Sequence, residues 1–184
     1  MRLIAPALAP RLQMTDIYGD PVTLGRGGRR TLLCFFRDAA CPFCNLRIYE
    51  LSQHHRSLAA LGLDVIAVFA SSTDAVKRFV ARQPRPFRVL ADPDSVAYRA
   101  YGIERSFWRK LRAVVTRVPD LLRGLRLVGV AGLNTNDILP ADFLIDEGGR
   151  IVEAYYGRDA GDHVPFERVE LFLARGLLQR TAAA

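Results

Sequence analysis

Two continuous apolar runs, separated by about the length of one helix, constrain the fold of this chain more than any other feature of its sequence. They are TLLCFFR at residues 31–37 and LDVIAVFAS at residues 63–71. Such runs, bounded by loop-forming residues, are typical of strands that are buried on both faces of a sheet. The segment between them, residues 42–61, predicts a helix, because it opens on a proline and Gly62 follows its end. Together these segments predict a strand–helix–strand unit with parallel strands.

The rest of the chain continues this alternation of strands and helices. The further predicted elements are two short strands around a turn at residues 12–24, a helix at 73–82, a strand and turn at 84–94, a short helix ending at Gly102, a hairpin at 141–157 and a helix from about Pro165 to Gly176. The glycine-rich stretch at 25–30 lacks the spacing of a nucleotide loop and predicts a turn. We therefore expect a three-layer α/β/α sandwich with a mostly parallel sheet and an antiparallel edge, formed as one domain over residues 1–184.

Composition narrows the classes of partner and the setting. The net charge of +7 is carried almost entirely by arginine, spread along the chain without a nucleic-acid-binding motif, which argues against a nucleic-acid partner. The opening MRLIAPALAP is too short and too broken by proline for a secretory signal, and no apolar run reaches transmembrane length. We expect a cytoplasmic protein in a reducing setting, where neighbouring cysteines are more often catalytic or metal-binding than structural.

The segment RDAACPFCN, residues 37–45, contains two of the three cysteines. With Pro42 as the first helical residue, Cys41 is predicted at the N-cap and Cys44 at the third helical position. The unpaired N–H groups and the positive end of the helix dipole stabilise a thiolate there, and the spacing suits a disulfide. The motif therefore predicts one activated thiol and a partner that closes a disulfide with it. Cys34, inside the apolar strand, predicts an inert packed thiol.

Two other interpretations of the cysteine pair are weaker. A zinc site would draw its further ligands from His54 and His55, but both lie on the same predicted helix and the spacing matches no common zinc pattern. A chance pairing of structural cysteines would leave the agreement between strand, loop, cysteine and first-turn proline unexplained. We therefore expect no metal and no cofactor, and we interpret the two histidines as exposed helix residues.

Over about residues 10–175 the chain resembles the thioredoxin-fold redoxin superfamily, and most of all its peroxiredoxin-like branch related to the AhpC/TSA antioxidant proteins. The resemblance is carried by the FF strand before the cysteines, by ADPDSVAYRAYGI at 91–103 and by LPADFLIDEGGRIV at 139–152. The tetrapeptide CPFC is similar to the active-site motifs of glutaredoxins and thioredoxins. The resemblance implies a thioredoxin-like fold and a redox-active dithiol in that tetrapeptide.

The peroxidase residues of true peroxiredoxins are missing from this chain. That family carries the motif PxxxTxxC and a later arginine ahead of an FxID-type strand, which orient the peroxide and steady the thiolate. Aligned on the FF strand, Cys44 takes the position of the peroxidatic cysteine and Cys41 that of the threonine. In this alignment Arg37 occupies the position of the peroxidase proline, and Pro140 occupies that of the arginine. The alternative register, aligned on Cys41, matches no better.

The same departures resemble a thioredoxin site. Thioredoxins carry their first cysteine at the threonine position and a cis-proline at the start of the corresponding strand. The resemblance therefore implies that Pro140 supports the dithiol as a cis-proline and offers a backbone edge to an incoming peptide. The alternative is an ordinary trans proline opening a strand, the form that X-Pro bonds prefer by about 0.5–1 kcal/mol.

Residues 104–133 form a basic, amphipathic insertion ahead of the hairpin. Its apolar residues recur at three- and four-residue steps, with basic residues on the other side: Phe107, Trp108, Leu111, Val114, Val115, Val118, Leu121, Leu122 and Leu125 against Arg109, Lys110, Arg112, Arg117, Arg123 and Arg126. Pro119 is predicted to divide or kink the helix. The insertion could lie on an anionic membrane or cover the dithiol as a lid and docking surface. Packing on its own domain or on a second subunit is favoured, because amphipathic helices mostly face a core.

The first functional hypothesis is a peroxiredoxin-like thiol–disulfide oxidoreductase of cell redox homeostasis. The Cys41 thiolate would attack a disulfide of a protein or small molecule, and Cys44 would resolve the mixed disulfide, with a thioredoxin- or glutathione-type reductant. The reverse order stays open, because the peroxiredoxin register makes Cys44 the first attacker. The alternatives are an atypical thiol peroxidase that reduces hydroperoxides as an antioxidant, and a non-enzymatic redox-sensing or membrane-associated binding protein. A homodimer is compatible with each of them.

Overall fold

The computed structural model describes residues 1–82, 84–129 and 136–182. The strands are β1 (Ala7–Leu8), β2 (Leu12–Thr15), β3 (Pro21–Leu24), β4 (Arg30–Phe36), β5 (Leu63–Phe69), β6 (Arg88–Ala91), β7 (Ala141–Ile145) and β8 (Arg150–Tyr156), and the helices are α1 (Pro42–Ala60), α2 (Thr73–Phe79), α3 (Val96–Ala100), α4 (Phe107–Thr116), α5 (Val118–Val128) and α6 (Phe166–Ala182). No helix within these ranges is long and apolar enough to cross a bilayer.

Six strands form the central sheet in the order β1-β8-β7-β4-β5-β6, and β2 pairs with β3 in a separate hairpin. The strands β4, β5 and β6 are parallel, whereas β7, β8 and β1 run against their neighbours. The expectation of a mostly parallel sheet is therefore wrong, because half of the sheet is antiparallel. The chain reaches β7 at the end of the sheet where β4 stops, as the hydrogen bond between Arg37 and Ile138 shows, so β7 runs back along β4.

Separate apolar clusters cover the two faces of the sheet. Neighbouring side chains of β4 point to opposite faces, with Cys34 in one cluster and Leu33 in the other. The first face is covered by α1, α2 and α6, and the second by α3 and the β2–β3 hairpin. The expected three-layer arrangement is confirmed, with the hairpin filling part of the second outer layer.

Helix α1 begins and ends where the sequence predicts, but α6 does not. Pro42 is the first residue of α1, and Gly62 follows its end with a φ of +82°, which glycine adopts without strain. The predicted end of α6 at Gly176 is wrong, since the helix continues past it. Gly176 serves packing instead: a Cβ there would lie 2.1 Å from Cζ of Arg30, whose guanidinium donates to the carbonyl of Leu173.

The insertion forms two helices, α4 and α5. Pro119 stands in the first turn of α5, where its missing N–H costs no helical hydrogen bond, so the predicted division of the segment is confirmed. Residues 130–133, the expected end of the insertion, lie outside the described residues.

Candidate active site

The two cysteines of the CPFC motif lie at the junction of β4 and α1. Cys41 is the N-cap, with an extended backbone (φ −64°, ψ 125°), and Pro42 opens the helix. Cys44 is the third helical residue, so both cysteines occupy the predicted positions. The N–H of Cys41 donates to the carbonyl of Asp38 at 3.0 Å, which closes the turn between strand and helix. Both sulfurs are free thiols in the first turn of α1.

The thiol of Cys41 ionises readily in this setting. Its side chain is fully buried, and burial on its own raises the pKa of a thiol. The thiol of Cys44, which donates a hydrogen bond to the Cys41 sulfur, and the positive charge of Arg37 act in the other direction, as do the backbone N–H groups of Cys44 and Phe43. Together they lower the pKa of Cys41 to about 6, so the thiolate predominates at neutral pH.

The thiol of Cys44, in contrast, resists ionisation. It is fully buried too, and burial raises the pKa of its thiol, which the hydrogen bond to Cys41 and the charge on that sulfur raise further. Arg37 acts against this rise without cancelling it, and the pKa of Cys44 lies well above its ordinary value. The pair is divided into a thiolate and a thiol that keeps its proton. This division favours Cys41 as the first attacker over the order implied by the peroxiredoxin register.

Arg37 is the residue of this site that sequence reasoning missed. Its side chain is buried directly after β4, and its Nη1 lies 3.3 Å from the Sγ of Cys41. Nε donates to the carbonyl of Ile138 at 2.6 Å, and Nη2 donates to that of Asn136. The sequence marked Arg37 only as the residue at the peroxidase proline position. The available signal was an arginine that ends an apolar strand four residues before a cysteine.

Pro140 directly precedes β7 and is buried, but its peptide bond is not the expected cis one. Within the described ranges the cis bond is Ala5–Pro6, so the expectation for Pro140 is wrong. The bond between Leu139 and Pro140 is trans, the form that X-Pro bonds prefer by about 0.5–1 kcal/mol, and the N–H of Leu139 donates to the carbonyl of Glu104 at 2.9 Å. A supporting role of Pro140 beside the dithiol stays a prediction.

The insertion lies over the dithiol. Helix α5 rests on the start of α1, where a Cβ at Gly124 would lie only 2.3 Å from the carbonyl oxygen of Pro42. Ala113 of α4 is fully buried in the apolar cluster that contains both active-site cysteines, and Leu121 of α5 packs against the same cluster. The insertion thus packs on its own domain through Ala113, Leu121 and Gly124. The predicted burial of its apolar face is only partly met, because six of the residues named for that face are exposed: Trp108, Leu111, Val114, Val115, Val118 and Leu122. Because it covers the redox site, we call α4 and α5 the lid helices.

A small ion-pair cluster joins the lid helices to the loop after β8. Arg117, which separates α4 from α5, pairs with Asp159 at 3.0 Å and with Asp162 at 3.7 Å. The hydroxyl of Tyr155 also donates to Asp162, at 2.9 Å. The side chain of Arg117 is 32% exposed, so solvent screens these pairs, and each is worth about 0–1 kcal/mol.

A second buried polar cluster lies under α1, between β4 and β7. The carboxylate of Asp142 accepts a hydrogen bond from the N–H of Val164 at 2.7 Å and lies 3.0 Å from Nδ1 of His163. Cys34, opposite Asp142 on the paired strand, is fully buried, and burial together with that carboxylate raises the pKa of its thiol well above the ordinary value. Cys34 is thus the unreactive thiol that the sequence predicts. The Asp142–His163 pair had no sequence signal, because its two members meet only through the fold.

The histidines considered as zinc ligands have other contacts. The ring of His54 stacks on Phe166 with centroids 4.4 Å apart, and His55 faces the ring of Phe87. Within the part of the chain that the structure describes, no group of three or more His, Cys, Asp or Glu side chains could hold a metal ion. The zinc interpretation therefore gains no support.

Known proteins share both sequence and fold with this chain. The sequence model of the AhpC/TSA family matches residues 7–154. A Mycobacterium tuberculosis protein named as a peroxiredoxin is 25% identical over 174 residues, which span 92% of this chain and 96% of that protein. The thiol-disulfide oxidoreductase ResA of Bacillus anthracis is 23% identical over 157 residues, which span 85% of this chain and 72% of that protein.

Among solved structures, one described as the thiol:disulfide interchange protein DsbE from Chlorobium tepidum superposes with a TM-score of 0.64. The identity is 22%, and the match covers 93% of this chain and 99% of that one. The likeness confirms the thioredoxin-like fold that the sequence led us to expect.

Proposed function

The chain is an oxidoreductase of the AhpC/TSA family, and from that premise we propose that it reduces disulfides through the dithiol of Cys41 and Cys44. The observation that carries the proposal is the position of both cysteines in the first turn of α1, with Nη1 of Arg37 3.3 Å from the Cys41 sulfur, a setting that lowers the pKa of Cys41 and raises that of Cys44. The thiolate is the attacking species in disulfide exchange, and a neighbouring thiol is what resolves the mixed disulfide. The absence of the peroxidase proline, threonine and arginine from their positions supports disulfides as the first substrate class.

The proposed reaction has two exchanges. In the first, the Cys41 thiolate forms a bond to one sulfur of the substrate disulfide, the substrate S–S bond breaks, and the other substrate sulfur leaves and takes a proton. In the second, Cys44 loses its proton and attacks Sγ of Cys41, so that the mixed disulfide breaks and the first substrate sulfur leaves. The substrate gains two electrons and two protons, and the chain holds a Cys41–Cys44 disulfide.

A second thiol reductant must restore the dithiol. A thioredoxin-type dithiol, or two molecules of glutathione, would reverse the same exchanges and leave oxidised in turn. Both are available in a reducing cytoplasm, where we place the chain because its cysteines form a pair suited to transient oxidation. The disulfide of this site is then an intermediate of turnover within cell redox homeostasis.

The test is a disulfide-reduction assay on three single variants with a dithiol donor. Cys41→Ser should abolish reduction, and Cys44→Ser should accumulate the mixed disulfide with substrate, which mass spectrometry detects. Cys34→Ser is the matched control, because this buried thiol lies outside the motif, and it should keep the wild-type rate. Disulfide reduction that survives both Cys41→Ser and Cys44→Ser would refute the dithiol mechanism.

A second candidate function is hydroperoxide reduction at the same sulfur. The Cys41 thiolate would attack one peroxide oxygen, the O–O bond would break, and the alcohol would leave with a proton. The resulting sulfenic acid would condense with the Cys44 thiol, which releases water and forms the same disulfide. The guanidinium of Arg37, 3.3 Å from the Cys41 sulfur, supports this candidate, because a fixed cation steadies the thiolate and the oxyanion that develops.

Hydroperoxide consumption measured on the same variants separates the two functions. Peroxide turnover that depends on Cys41 and outpaces disulfide reduction with the same donor would make the peroxidase reaction the main one. Peroxide turnover that is slower than disulfide reduction would leave disulfide exchange in first place.

A further inference from the structure

A substrate disulfide does not reach the dithiol while the lid helices are closed. The side chains of Cys41 and Cys44 are fully buried, and Pro42 between them lies under Gly124 of α5. Exchange requires direct contact between the attacking sulfur and the sulfur attacked. Some of the residues that bury Cys41 must therefore move before it reacts, and the lid helices, which pack on the start of α1 and on the cluster that contains Cys41, are the candidates for this movement.

The contacts that hold the lid helices closed are limited. Gly124 brings no side chain to its contact with Pro42, and Leu121 is only partly buried. The ion pairs of Arg117 are open to solvent on one side. Opening would expose the buried Ala113 and Val128 and break the partly exposed ion pairs of Arg117, a cost that an apolar docking surface can offset.

The outer face of the lid helices is apolar and exposed. Trp108 is 76% exposed and Val115 is 68% exposed, on the side of α4 that faces away from the buried Ala113. The exposed apolar side chains of the two helices are Trp108, Leu111, Val114, Val115, Val118, Leu122 and Leu127. An exposed apolar surface of this kind, next to a reactive site, is typical of a surface that contacts another protein or a membrane.

The charge of the lid helices indicates which partner this surface contacts. Between residues 106 and 129 there are six basic residues and one acidic residue. Arg112, Arg123 and Arg126 are exposed on the same two helices. A two-fold dimer through this face would bring two copies of the same positively charged surface together, which repel each other. An anionic lipid surface supplies the opposite charge together with an apolar layer, and Trp beside Arg is the composition of helices that lie in that interface.

We propose that the lid helices dock on an anionic lipid surface and that this docking uncovers Cys41. The inner face of α5, with Leu121 and Val128, leaves the domain and enters the same apolar layer as the outer face. The lipid surface therefore binds the open arrangement better than the closed one, as any ligand that shifts an equilibrium must. The substrates that meet the open site are disulfides or hydroperoxides at a membrane surface, and this last step alone rests on the proposed function.

The test measures lipid binding and access to Cys41 separately. Reduced chain is mixed with vesicles of phosphatidylglycerol and phosphatidylcholine, or of phosphatidylcholine alone, and is then sedimented. In parallel, the rate at which iodoacetamide modifies Cys41 is followed by peptide mass spectrometry. We expect the chain to pellet with the anionic vesicles at low salt and Cys41 to react about tenfold faster there, which corresponds to a shift of about 1.4 kcal/mol in the lid equilibrium. Phosphatidylcholine alone should do neither.

The variant for this test is Trp108→Ser with Leu122→Ser, two exposed positions on the outer face. It should keep the unstimulated alkylation rate and lose both responses to the anionic vesicles. Leu171→Ser is the matched control, because Leu171 is an exposed apolar residue of α6, outside the lid helices, and it should respond like the wild type.

Three results would overturn the proposal: no pelleting at low salt, pelleting without faster alkylation of Cys41, or a dimer in solution that the double variant disrupts. Alkylation needs no substrate disulfide, so failure of the lid proposal and failure of the proposed enzymatic function are read from different assays.

Discussion

A thiol inside an apolar cluster ordinarily stays protonated, because its charged form loses hydration. Cys41 departs from this behaviour because the Cys44 thiol, the backbone N–H groups of Cys44 and Phe43 and the positive charge of Arg37 stabilise its thiolate. The guanidinium is held against the sulfur by the carbonyls of Asn136 and Ile138. The reactivity of Cys41 therefore depends on Asn136 and Ile138, which follow the insertion in the chain and hold Arg37 beside the sulfur.

The first prediction at this scale concerns the pH dependence of Cys41. Its pKa of about 6 means that the thiolate fraction rises through that pH, so the alkylation rate should climb with a midpoint near 6 and level off above about 7. Stopped-flow or timed alkylation with iodoacetamide measures it, with Cys41→Ser as the blank. A midpoint above 8 would show that the neighbours do not stabilise the thiolate.

The second prediction is that Arg37→Met moves this midpoint upward. Removal of the cation leaves burial as the larger influence on the pKa of Cys41, and a rise of about two pKa units would lower the thiolate fraction at pH 7, and with it the alkylation rate, by about tenfold. The carbonyls of Asn136 and Ile138 also lose their donor, which should cost about 1–3 kcal/mol of folding stability for each. Arg78→Met, at an exposed position of α2, is the control. An unchanged midpoint in the Arg37 variant would remove Arg37 from the account of the thiolate.

At the scale of elements, the contact between α5 and α1 leads to a third prediction. Gly124→Ala should favour the helix itself by about 1 kcal/mol, since alanine is the better helix former. Its Cβ would lie 2.3 Å from the carbonyl oxygen of Pro42, so α5 cannot stay where it is. We expect the fold to persist and Cys41 to become several-fold more reactive without lipid. Leu122→Ala, an exposed neighbour on the same helix, should leave the rate unchanged, and equal rates in both variants would mean that α5 does not control access.

The elements that local signals specify were predicted well. Pro42 and Gly62 bound α1, and the apolar runs became β4 and β5, because proline, glycine and continuous apolar character act within a few residues of where they stand. The direction of β7 was not predicted, since it depends on the end of the sheet at which the chain arrives. The role of Arg37 was missed for the same reason, because its carbonyl partners lie 99 and 101 positions further along the chain.

At the scale of the whole molecule, the dithiol connects stability to pH. The pKa of Cys41 is lower in the folded chain than the ordinary value near 8.5, so its contribution is fully present above that pH and is lost as the pH falls through about 6. The pKa of Cys44 is raised, so stability falls again above about 8.5, where the unfolded thiol ionises and the folded one does not. The reduced chain should be most stable between these limits.

This fourth prediction is tested by urea unfolding of the reduced chain and of Cys41→Ser. The difference in unfolding free energy between the two should grow from pH 6 to pH 8, by no more than about 3 kcal/mol. A serine hydroxyl does not titrate in this range, so the difference reports on Cys41. A constant difference across the range would contradict the stabilised thiolate.

At the end of the sheet opposite the dithiol, one buried side chain connects three elements. Arg30, at the start of β4, pairs with Glu147 of the β7–β8 turn at 2.9 Å and donates to the carbonyl of Leu173 in α6, in the space that Gly176 leaves open. Three elements are thus tied together at the end of the sheet opposite the dithiol. In hydrogen–deuterium exchange, the amides around this junction should exchange only through global unfolding, while those of the lid helices exchange through local opening. Opening of the lid helices, as proposed, would therefore leave this end of the molecule folded.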